Sequence, residues 1–343
     1  LGGVGNLIMN LKNLNIKLKL FSYIGKDLNG KKIEKLLKKN NFIYKLKKTS
    51  QPTTIKTRFV NNYYKHYFRS DLEKATNLNK NENFFIKKLL LNDFVAISDY
   101  AKGSIKKNTV EKILKRKCKV FVDPKNPPNY FKNVFLVKPN MKKFSEWFGK
   151  FTKKKAVTAM KKMNWEWLVI TDGKKGVHVF KKDGTNTFFK TNKVTNPDVT
   201  GAGDIFFSVL IYSYIQGYDI FTASCLANNA SSKLVAKKGV QIVQKKDLKS
   251  NIVFANGVFD TFHKGHKKLL SFAKSLGKKL VVGINSDKSV SILKGKDRPR
   301  DKLKKRIDNL KKTKLISKII VFSYKTPLKL IKNIKPDLIV KGG

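Results

Sequence analysis

The length, composition and charge of the chain indicate a globular protein of about two domains. Its 343 residues are enough for two ordinary domains, and a hydrophobic content of 41% excludes a generally disordered chain. The formal net charge is +52, from 75 basic and 23 acidic residues, which raises the question of a nucleic-acid or membrane-surface partner. Only six of the basic residues are arginine, the residue that reads phosphates and bases by bidentate contacts. The lysine excess therefore favours a solvated surface, and a nucleic-acid partner is not predicted.

Cysteine usage and apolar segments bear on the compartment. Cys118 and Cys225 lie far apart in mostly apolar segments, which predicts neither a disulfide framework nor a metal cluster and indicates the cytoplasm. The longest apolar stretch, 206–215, is about half of a membrane span, so no membrane partner is predicted. The chain starts at Leu1 rather than Met and stops directly after an apolar segment. We expect it to be truncated at both ends and weakly active as it stands.

Short apolar segments alternate with helical patterns from residue 18 onward. The alternation predicts an α/β fold with a parallel, helix-covered sheet. Residues 51–69 interrupt it with extended Thr-, Tyr-, Phe- and Val-rich patterns, which predict a small β-excursion near a site. Two helices follow at 203–216 and 219–237, each closed by a glycine at the position of a C-terminal cap. The predicted strands of the sheet are 94–98, 119–123, 134–137, 168–171 and 177–180.

The pattern starts again after residue 247, which places a domain boundary near residue 248. We predict a first domain at 1–248 and a smaller second domain, built as a βαβ unit, at 249–343. The predicted elements of the second domain are strands at 252–255, 280–285, 318–322 and 338–340, and helices at 266–275, 301–312 and 327–334.

The clearest motif of the first domain is DVTGAGD at 198–204, directly before an apolar helix. The N–H groups of Gly201, Ala202 and Gly203 can converge on an anion there, helped by the positive end of the helix dipole. Asp204 could take the proton of an alcohol beside that anion, so the segment predicts a phosphoryl-transfer site. On the residues alone, a helix cap with a glycine turn and no chemistry is an equal alternative.

Further motifs accompany this one in the order of a known family. GGVGN at 2–6, SDYAKG at 98–103, VDPK at 122–125 and KPN at 138–140 precede DVTGAGD. Over residues 1–245 the chain thus resembles the ribokinase-like carbohydrate kinases, and in particular their heptose-phosphate kinase branch. The resemblance implies a ribokinase-like parallel-sheet domain that phosphorylates a sugar with ATP.

The resemblance also implies roles for single residues. Asp204 is the base, and the glycine turn before it is the anion hole. Gly3 and Asn6 contact the sugar, while Asp123 and Lys125 lie near the phosphate end. The segment along the ATP phosphates consists of Asn140, Met141, Lys142 and Lys143.

One position of that segment departs from the family pattern. Members of the family usually carry an acidic residue where this chain has Lys143. Loss of the carboxylate is expected to weaken the placement of Mg²⁺, which prefers oxygen ligands. The Lys143 ammonium, in turn, is able to contact a phosphate directly.

Two of the four histidines occur in NGVFDTFHKGH at 256–266. The motif follows a predicted strand and opens a predicted helix, so the imidazoles of His263 and His266 can face one ligand. No cysteine or correctly spaced third ligand accompanies them, and zinc is therefore not predicted. Imidazoles at a helix N-terminus suit the α-phosphate of a nucleotide. The alternative is a pair of helix-start histidines without a catalytic role.

The histidine motif resembles that of the cytidylyltransferase-like nucleotidyltransferases, a Rossmann-like family. Later motifs follow in the order of that family, namely INSD at 284–287, KG at 294–295, RP at 298–299, Arg306, and KGG at 341–343.

This resemblance implies that His263 and His266 stabilise the pentacoordinate phosphorus of an adenylyl transfer. It places Asp260 beside the metal or the nucleotide, and Lys294 and Arg298 on phosphates. No general base is required, because a sugar phosphate is already an anionic nucleophile. The implied nucleotide contacts of this half are Asn256, Gly257, Phe259, Asp260, Lys294 and Arg298.

A ribokinase-like half followed by this half resembles the bifunctional heptose enzymes of Gram-negative bacteria. The resemblance implies that ATP phosphorylates C1 of D-glycero-β-D-manno-heptose 7-phosphate, and that ATP then adenylylates the heptose 1-phosphate. The second reaction releases pyrophosphate and gives ADP-heptose for the lipopolysaccharide core. ATP and Mg²⁺ are the implied cofactors, heptose phosphates are the partners, and a homo-oligomer, taken as a dimer, is the expected assembly.

Two other interpretations stay open. One is a kinase of another sugar fused to a cytidylyltransferase, which a comparison of ATP with CTP would separate. The other is a decayed enzyme scaffold that binds nucleic acid through its net charge. A steep salt dependence of DNA binding, without ATP turnover, would indicate that case.

Overall fold

The computed structural model describes residues 2–60, 66–74, 86–91, 93–191, 194, 197–237, 239–324 and 326–342. Residues 61–65 of the predicted β-excursion and Gly343 of the last motif lie outside these ranges. The chain divides into two compact units, Leu1–Gln244 and Lys245–Gly343. In the part of the chain that the structure describes, no helix has the length and apolar character needed to cross a membrane.

The first unit alternates strands and helices. Its described strands are β1 (Lys19–Gly25), β2 (Ile43–Thr49), β3 (Ile55–Val60), β4 (His66–Leu72), β5 (Phe94–Ser98), β6 (Lys119–Asp123), β7 (Leu136–Val137), β8 (Trp167–Thr171), β9 (Gly176–Lys181) and β10 (Asn186–Lys190). Its described helices are α1 (Val4–Asn13), α2 (Leu28–Lys39), α3 (Lys107–Leu114), α4 (Met141–Phe148), α5 (Lys153–Met163), α6 (Ala202–Ile215) and α7 (Ile220–Leu234).

A six-stranded sheet forms the centre of this unit, with the strand order β10-β9-β8-β7-β6-β5. Strands β5 to β8 are parallel, as predicted. The segment 177–180 is also a strand, but β9 runs antiparallel to both β8 and β10. The reason is the short connection from β8 to β9 at 172–175, because a parallel pair needs a crossover of about a dozen residues or more.

Helix α6 positions the first site. It is apolar on nearly all sides and is therefore buried, packing against α1 and α7. Because this helix is buried in the unit, the glycine turn at its start has a fixed position. The two predicted helices are confirmed, although α7 ends at Leu234 rather than at residue 237.

Two smaller sheets complete the described part of the unit. Strands β1 and β2 are parallel, and β3 and β4 form an antiparallel hairpin, which confirms the predicted β-excursion. One face of the hairpin is apolar, and the rings of Phe59 and Phe68 stack there at 4.2 Å. Because side chains alternate along a strand, Lys56 and its cross-strand partner Asp71 lie on the opposite face.

The second unit is built from strands β11 (Ser250–Gly257), β12 (Gly277–Asn285), β13 (Lys318–Phe322) and β14 (Leu338–Val340), and from helices α8 (Lys245–Leu248), α9 (Lys264–Ser275), α10 (Asp287–Lys294), α11 (Leu303–Lys312) and α12 (Leu328–Ile334). The sheet is parallel throughout, with the order β13-β12-β11-β14. All seven predicted elements of this unit are present. The strands at 318–322 and 338–340 have the predicted bounds, and the other five elements have shifted ends.

Two differences from the predicted elements matter for the second site. Helix α9 starts at Lys264 rather than at residue 266, because His263 is its N-cap and accepts a hydrogen bond from the N–H of Gly265. Helix α10 was not predicted. It has only 8 residues, capped by Ser286, which is too short for a clear helical period in the sequence.

Candidate active sites

A cavity of about 760 Å³ in the first unit collects most of the residues predicted for the kinase site. It lies where the loops after β5 and β6 meet the starts of α4 and α6. Parallel strands end on the same edge of a sheet, and such edges are where ligands bind in α/β folds. The predicted residues that line it are Asp123, Lys125, Asn140, Lys142, Lys143, Gly201, Ala202, Gly203 and Asp204.

The glycine turn has the conformation that the motif requires. Gly201 has φ 76°, a left-handed value that favours glycine, and it caps the start of α6. A Cβ on Gly201 would lie 2.7 Å from Nδ2 of Asn6, so a larger residue would displace that amide. The N–H of Ala202 donates to the carbonyl of Val199 at 3.2 Å. Gly203 and Asp204 follow in the first turn of the helix. Their N–H groups have no acceptor within the helix, because no residue of the helix lies four positions before them.

Asp204 lies deep beside this turn, and neighbouring side chains fix its carboxylate. Oδ2 accepts a hydrogen bond from Nδ2 of Asn6 at 3.0 Å, and Oδ1 accepts one from the Tyr100 hydroxyl at 3.4 Å. Burial raises the pKa of Asp204, and the nearby Asp123 carboxylate raises it further, against the hydrogen bond from Asn6. A carboxylate with a raised pKa is a stronger base, which suits proton removal from a sugar hydroxyl.

The two residues predicted to contact the sugar at the start of the chain lie around Asp204. Asn6 is buried in α1 and is held in turn by Nδ2 of Asn10. It is absent from the cavity wall, and its contact in this structure is with the base. Gly3 precedes α1 next to Tyr100, whose ring lies 3.2 Å from where a Cβ would stand. A sugar contact of either residue stays a prediction.

Asp123 and two residues that were not predicted form the floor of the cavity. Asp123 ends β6 and pairs with the almost fully buried Lys138, with 3.0 Å between Oδ2 and Nζ. Burial raises the pKa of Asp123, while the ammonium of Lys138 opposes the shift. Asp99 accepts hydrogen bonds from the N–H groups of Ala101 and Lys125. It thereby ties the loop after β5 to the loop after β6.

The four side chains of the segment 140–143 have two kinds of role: two are structural, and two line the cavity. The Asn140 side chain caps α4 by accepting the N–H of Lys143 at 2.7 Å. The Met141 side chain packs against the hydrophobic core, so an ATP contact for it is limited to the backbone. Lys142 and Lys143 line the cavity together with Glu146.

The Lys143 ammonium and the Glu146 carboxylate, one helical turn later, form an ion pair of 2.7 Å. This pair lowers the pKa of Glu146. The acidic group that the resemblance led us to expect at position 143 thus has a counterpart three residues further on, on the same face of α4. Sequence comparison at position 143 alone does not reveal it.

In the second unit, the two predicted histidines lie against each other. Their ring centroids are 3.9 Å apart, and Nδ1 of His263 accepts the N–H of Gly265 at 3.1 Å. Nδ1 of His266 accepts the N–H of His263 at 3.4 Å. With both Nδ1 atoms used as acceptors, each ring carries its proton on Nε2 when neutral. Burial lowers the pKa of His266, and the charges of His263 and Lys294 lower it further. A phosphate contact of Lys294 stays a prediction.

Asp260 and Arg298, predicted to bind metal or nucleotide and phosphate respectively, contact each other. Oδ2 of Asp260 accepts from Nη1 of Arg298 at 2.9 Å and from the N–H of Arg300, and Oδ1 accepts from the N–H of Asp301. Burial opposes ionisation of this carboxyl, but the three donors together hold its pKa at about 2. Asp260 therefore anchors the loop 298–301. Among the described residues, no group of three or more His, Cys, Asp or Glu side chains is arranged to hold a metal.

The remaining predicted residues of this site form the loop that follows β11. Asn256 and Gly257 end the strand, and Phe259 turns the chain with φ 54°. The Phe259 ring is buried against Gly257, where a Cβ would meet it at 3.2 Å. The loop thus presents its backbone next to the two histidines, and the Phe259 side chain supports it from inside.

Arg306 is fully buried and holds this loop, a role that the sequence did not specify. It donates to the carbonyl oxygens of Val258 and Asp301 and to Oδ1 of Asp287 at 2.7 to 3.0 Å. We expect Arg306→Met to destabilise the second unit, because its partly buried acceptors lose their donor, and an acceptor left unsatisfied inside a protein costs about 1–3 kcal/mol. Urea unfolding followed in the second unit measures this effect. Arg300→Met, at an exposed side chain of the loop 298–301, is the control, and equal stability of the two variants would refute the assignment.

Comparisons with known proteins define the class of each unit. The pfkB family carbohydrate kinases match residues 1–247, and the cytidylyltransferase-like family matches residues 254–343. The chain therefore belongs to the pfkB family of carbohydrate kinases and carries a cytidylyltransferase-like domain behind it. Both predicted halves are confirmed, and the protein is an enzyme with a kinase and a nucleotidyltransferase domain.

Particular relatives combine the two domains in the same order. The chain is 31% identical over 386 residues to the bifunctional protein HldE of a Nitratiruptor species, covering all of this chain and 83% of that protein. The HldE protein of Coxiella burnetii (strain Dugway) is 29% identical over 383 residues, with 100% and 81% covered. The predicted bifunctional kinase and nucleotidyltransferase is therefore confirmed at the level of the family.

Solved structures confirm the fold of the first unit. Phosphofructokinase-2 from Escherichia coli in complex with fructose-6-phosphate superposes with a TM-score of 0.62 at 16% identity, covering 72% of this chain and 84% of that one. Ribokinase from Thermotoga maritima gives a TM-score of 0.57 at 19% identity, with 71% and 84% covered. The ribokinase-like fold is thus shown, and at these identities the likeness extends to the fold alone.

Proposed function

We propose that the first unit phosphorylates C1 of D-glycero-β-D-manno-heptose 7-phosphate with ATP. The second unit then joins AMP from a further ATP to the heptose 1-phosphate. One observation carries the proposal: a chain that aligns over its whole length with HldE proteins holds both a cavity around Asp204 and a stacked pair of histidines. ADP-heptose, which enters the lipopolysaccharide core, is the final product.

In the kinase reaction, Asp204 accepts the proton of the C1 hydroxyl as that oxygen bonds to the γ-phosphorus. The bond between the γ-phosphorus and the bridging oxygen breaks, and ADP leaves. Developing negative charge on the phosphoryl group faces the first turn of α6, where backbone N–H groups and the helix dipole stabilise it. Lys142 and Lys143 supply positive charge on the nucleotide side. Asn6 and Tyr100 keep the base oriented through the hydrogen bonds given above.

Magnesium fits the donor set of the same cavity. Carboxylate oxygens are its preferred protein ligands, and those of Asp123 and Glu146 both belong to residues that line the wall. A bound Mg²⁺ neutralises phosphate oxygens. Because Glu146 is ion-paired with Lys143, the carboxylate would be released when the lysine moves to a phosphate.

In the adenylyl transfer, a phosphate oxygen of heptose 1-phosphate attacks the α-phosphorus of ATP and pyrophosphate leaves. Nε2–H groups of His263 and His266 stabilise the charge on the pentacoordinate phosphorus. Lys294 lies close enough to influence His266 and suits the departing phosphates. Arg298, paired with Asp260, orders the loop beside them and has its remaining donors for phosphate.

Other properties of the protein are part of the proposal. The buried free thiols of Cys118 and Cys225 support a reducing compartment, the cytoplasm. The exposed apolar face of the β3–β4 hairpin, with Phe59 and Phe68, supports a homo-oligomer, most simply a dimer. We place the domain boundary at residue 248, at the end of the short helix α8.

Pyrophosphate release tests the proposed second reaction. With heptose 1-phosphate as acceptor, we expect about tenfold or greater preference for ATP over CTP, since a base pocket that hydrogen-bonds one base leaves groups unpaired with another. Preference for CTP would instead establish a cytidylyltransferase. Steeply salt-dependent DNA binding without turnover of either nucleotide would favour a nucleic-acid-binding scaffold.

A further inference from the structure

A series of hydrogen bonds leads from the carboxylate of Asp204 to the segment that follows α7. Nδ2 of Asn6 donates to Oδ2 of Asp204, and Oδ1 of Asn6 accepts a hydrogen bond from Nδ2 of Asn10 at 3.2 Å. Oδ1 of Asn10 in turn accepts the N–H of Val243 at 2.7 Å. Two amides of α1, both buried, therefore connect the proposed base with a buried residue 39 positions after it in the chain.

The amide of Asn10 is held in one orientation. Its side chain is completely buried, and its Nδ2 donates both to the backbone oxygen of Asn6 at 2.8 Å and to Oδ1 of the same residue. A rotation of this amide by 180° would place its oxygen against those two oxygens and its NH₂ group against the N–H of Val243. Buried polar groups without partners are costly, so the N–H of Val243 determines which way the amide points.

The orientation of Asn10 determines that of Asn6. Because Oδ1 of Asn6 receives the donor of Asn10, its Nδ2 faces Asp204. The same Nδ2 lies beside the glycine turn, where a Cβ on Gly201 would stand 2.7 Å from it. An amide whose oxygen accepts a hydrogen bond is polarised and becomes a stronger donor through its nitrogen. Asn10 thus strengthens the hydrogen bond to the base without contacting the base itself.

The segment 239–243 is attached to the kinase site at both of its ends. At the first end, the N–H of Gly239 donates to Oδ2 of Asp198, the first residue of the DVTGAGD motif, at 2.8 Å. At the other end, the carbonyl oxygen of Val243 accepts a further hydrogen bond from Nδ2 of Asn13 on α1 at 2.6 Å. The N–H that orients Asn10 therefore has a fixed position.

We propose that Asn10 is a positioning residue of the kinase reaction, which is anchored by the N–H of Val243 and holds the Asn6 amide against the carboxylate of Asp204. The inference rests on the proposed role of Asp204 as the base. Neither Asn10 nor Val243 is among the described residues that line the cavity, so both act from outside it. The segment 239–243 thereby becomes part of the support of the kinase site.

Kinase kinetics of the full chain test the role of Asn10. We expect Asn10→Ala to lower the kcat of heptose 7-phosphate phosphorylation by about 3- to 10-fold, the range that corresponds to one hydrogen bond, with the KM for ATP unchanged. Asn13→Ala is the matched control, because it removes a hydrogen bond between the same helix and the same residue, Val243, and should keep the wild-type kcat. An equal loss in both variants would indicate a general structural role of the segment and overturn the inference.

A double variant tests whether Asn10 acts through Asn6. If it does, Asn6→Ala and the double variant Asn6→Ala/Asn10→Ala should have the same kcat within about twofold, since the residue that transmits the effect is already absent. Effects of the two substitutions that multiply would show that Asn10 acts independently of Asn6, and would contradict the inference.

The pH profile gives a readout that a loss of packing alone would not change. Burial raises the pKa of Asp204, and the hydrogen bond from Asn6 opposes that shift. When this hydrogen bond is weakened, the pKa should rise further, so the acidic limb of kcat/KM should move to higher pH in Asn10→Ala and stay in place in Asn13→Ala. The other groups that act on this pKa are unchanged in both variants, namely Asp123, Lys138 and Tyr100.

A measurement without substrate distinguishes this inference from the proposed function. Carboxyl ¹³C NMR, with the Asp204 signal assigned by its loss in Asp204→Asn, gives the pKa directly. If the wild type phosphorylates no heptose, the heptose assignment fails, and a raised pKa of Asp204 in Asn10→Ala but not in Asn13→Ala still sustains the inference. The same pKa in the wild type and in folded Asn10→Ala would refute it.

Asn10→Ser provides the test if melting curves show that Asn10→Ala is not folded. A hydroxyl has one donor where the amide has two, so it cannot serve both oxygens of Asn6 at once. In a helix it donates preferentially to the carbonyl four positions earlier, here that of Asn6. We expect the same direction of change in kcat and in the pKa of Asp204, and wild-type values of both would refute the inference.

Discussion

Asp204→Asn is expected to lower the kcat of sugar phosphorylation by about 100-fold or more, the usual loss when a general base is removed. The amide retains the size of the carboxylate and can still meet Asn6 and Tyr100, but it takes up no proton. Nucleotide affinity should stay within about twofold of the wild type, because Lys142 and Lys143 are unchanged. Steady-state kinetics with heptose 7-phosphate, together with calorimetric binding of ATP, measure both parts of the expectation.

Asp183→Asn is the matched control for this experiment. Asp183 is an exposed carboxylate between β9 and β10, paired with Lys181 and away from the cavity lining. We expect wild-type kinetics from it. Wild-type turnover by Asp204→Asn would remove Asp204 from the mechanism.

The raised pKa of Asp204 gives the same experiment a pH readout. Only the ionised carboxylate accepts a proton, so kcat/KM should fall as the pH drops through a value above the usual range of an aspartate. This acidic limb should disappear in Asp204→Asn. Folding stability changes with pH in the opposite direction to activity. Asp204 has the lower pKa in the unfolded chain, so as the pH rises the unfolded chain loses this proton before the folded protein does. Ionisation of Asp204 therefore costs folding free energy as the pH rises, and the Asn variant should be at least as stable as the wild type at neutral pH.

Local sequence patterns were sufficient for most of the fold. Buried parallel strands such as β6 and β8 are continuous apolar segments. The two helices between them, α4 and α5, begin at the capping side chains of Asn140 and Thr152. The direction of β9 is harder to predict from alternation alone. The connection at 172–175 is too short for a parallel crossover from β8, and β9 is therefore antiparallel. Helix α10 was missed because its few residues depend on a serine cap and on packing more than on periodicity.

The candidate sites show the same division between local and long-range information. The glycine turn and Asp204 are adjacent in sequence, so one motif predicts both. The hydrogen bond from Asn6 to Asp204 spans 198 positions, and only the packing of α1 on α6 creates it. Lys138 carried a usable signal, a single lysine directly after a buried strand, because a cation at that depth requires a partner.

Ion pairs between the predicted site residues were the property that the sequence predicted least well. Asp260 and Arg298 each belong to a motif, and each was interpreted as a ligand contact on its own. In the folded unit they form an ion pair with each other. The pair exists because folding brings together two segments that are 38 positions apart in the sequence. The Lys143–Glu146 pair is an example at short range. Lys143 departs from the family pattern, and the carboxylate of Glu146, one helical turn later, pairs with it.

His266→Ala is expected to abolish adenylyl transfer, with a loss of about 100- to 1000-fold in kcat, while the kinase reaction continues at the wild-type rate. The loss is that of one preorganised donor to transition-state charge. His266 accepts the N–H of His263 through Nδ1, so its Nε2 is the nitrogen available to the phosphorus. Pyrophosphate release from ATP and heptose 1-phosphate measures the adenylyl transfer, and ADP release with heptose 7-phosphate measures the kinase reaction.

Lys267→Ala, at the next and exposed position of α9, separates the loss of an imidazole from a general change in the helix, and both activities should survive it. His263 needs a different comparison, because its Nδ1 also caps α9. His263→Asn retains a capping side chain and should fold as stably as the wild type, whereas His263→Ala should lose about 1 kcal/mol in addition to its activity. The kinase motifs and the histidine pair lie in units with separate cores, and changes without shared partners are independent. Loss of the kinase reaction in a folded His266→Ala protein would therefore contradict the assignment of the two reactions to separate units.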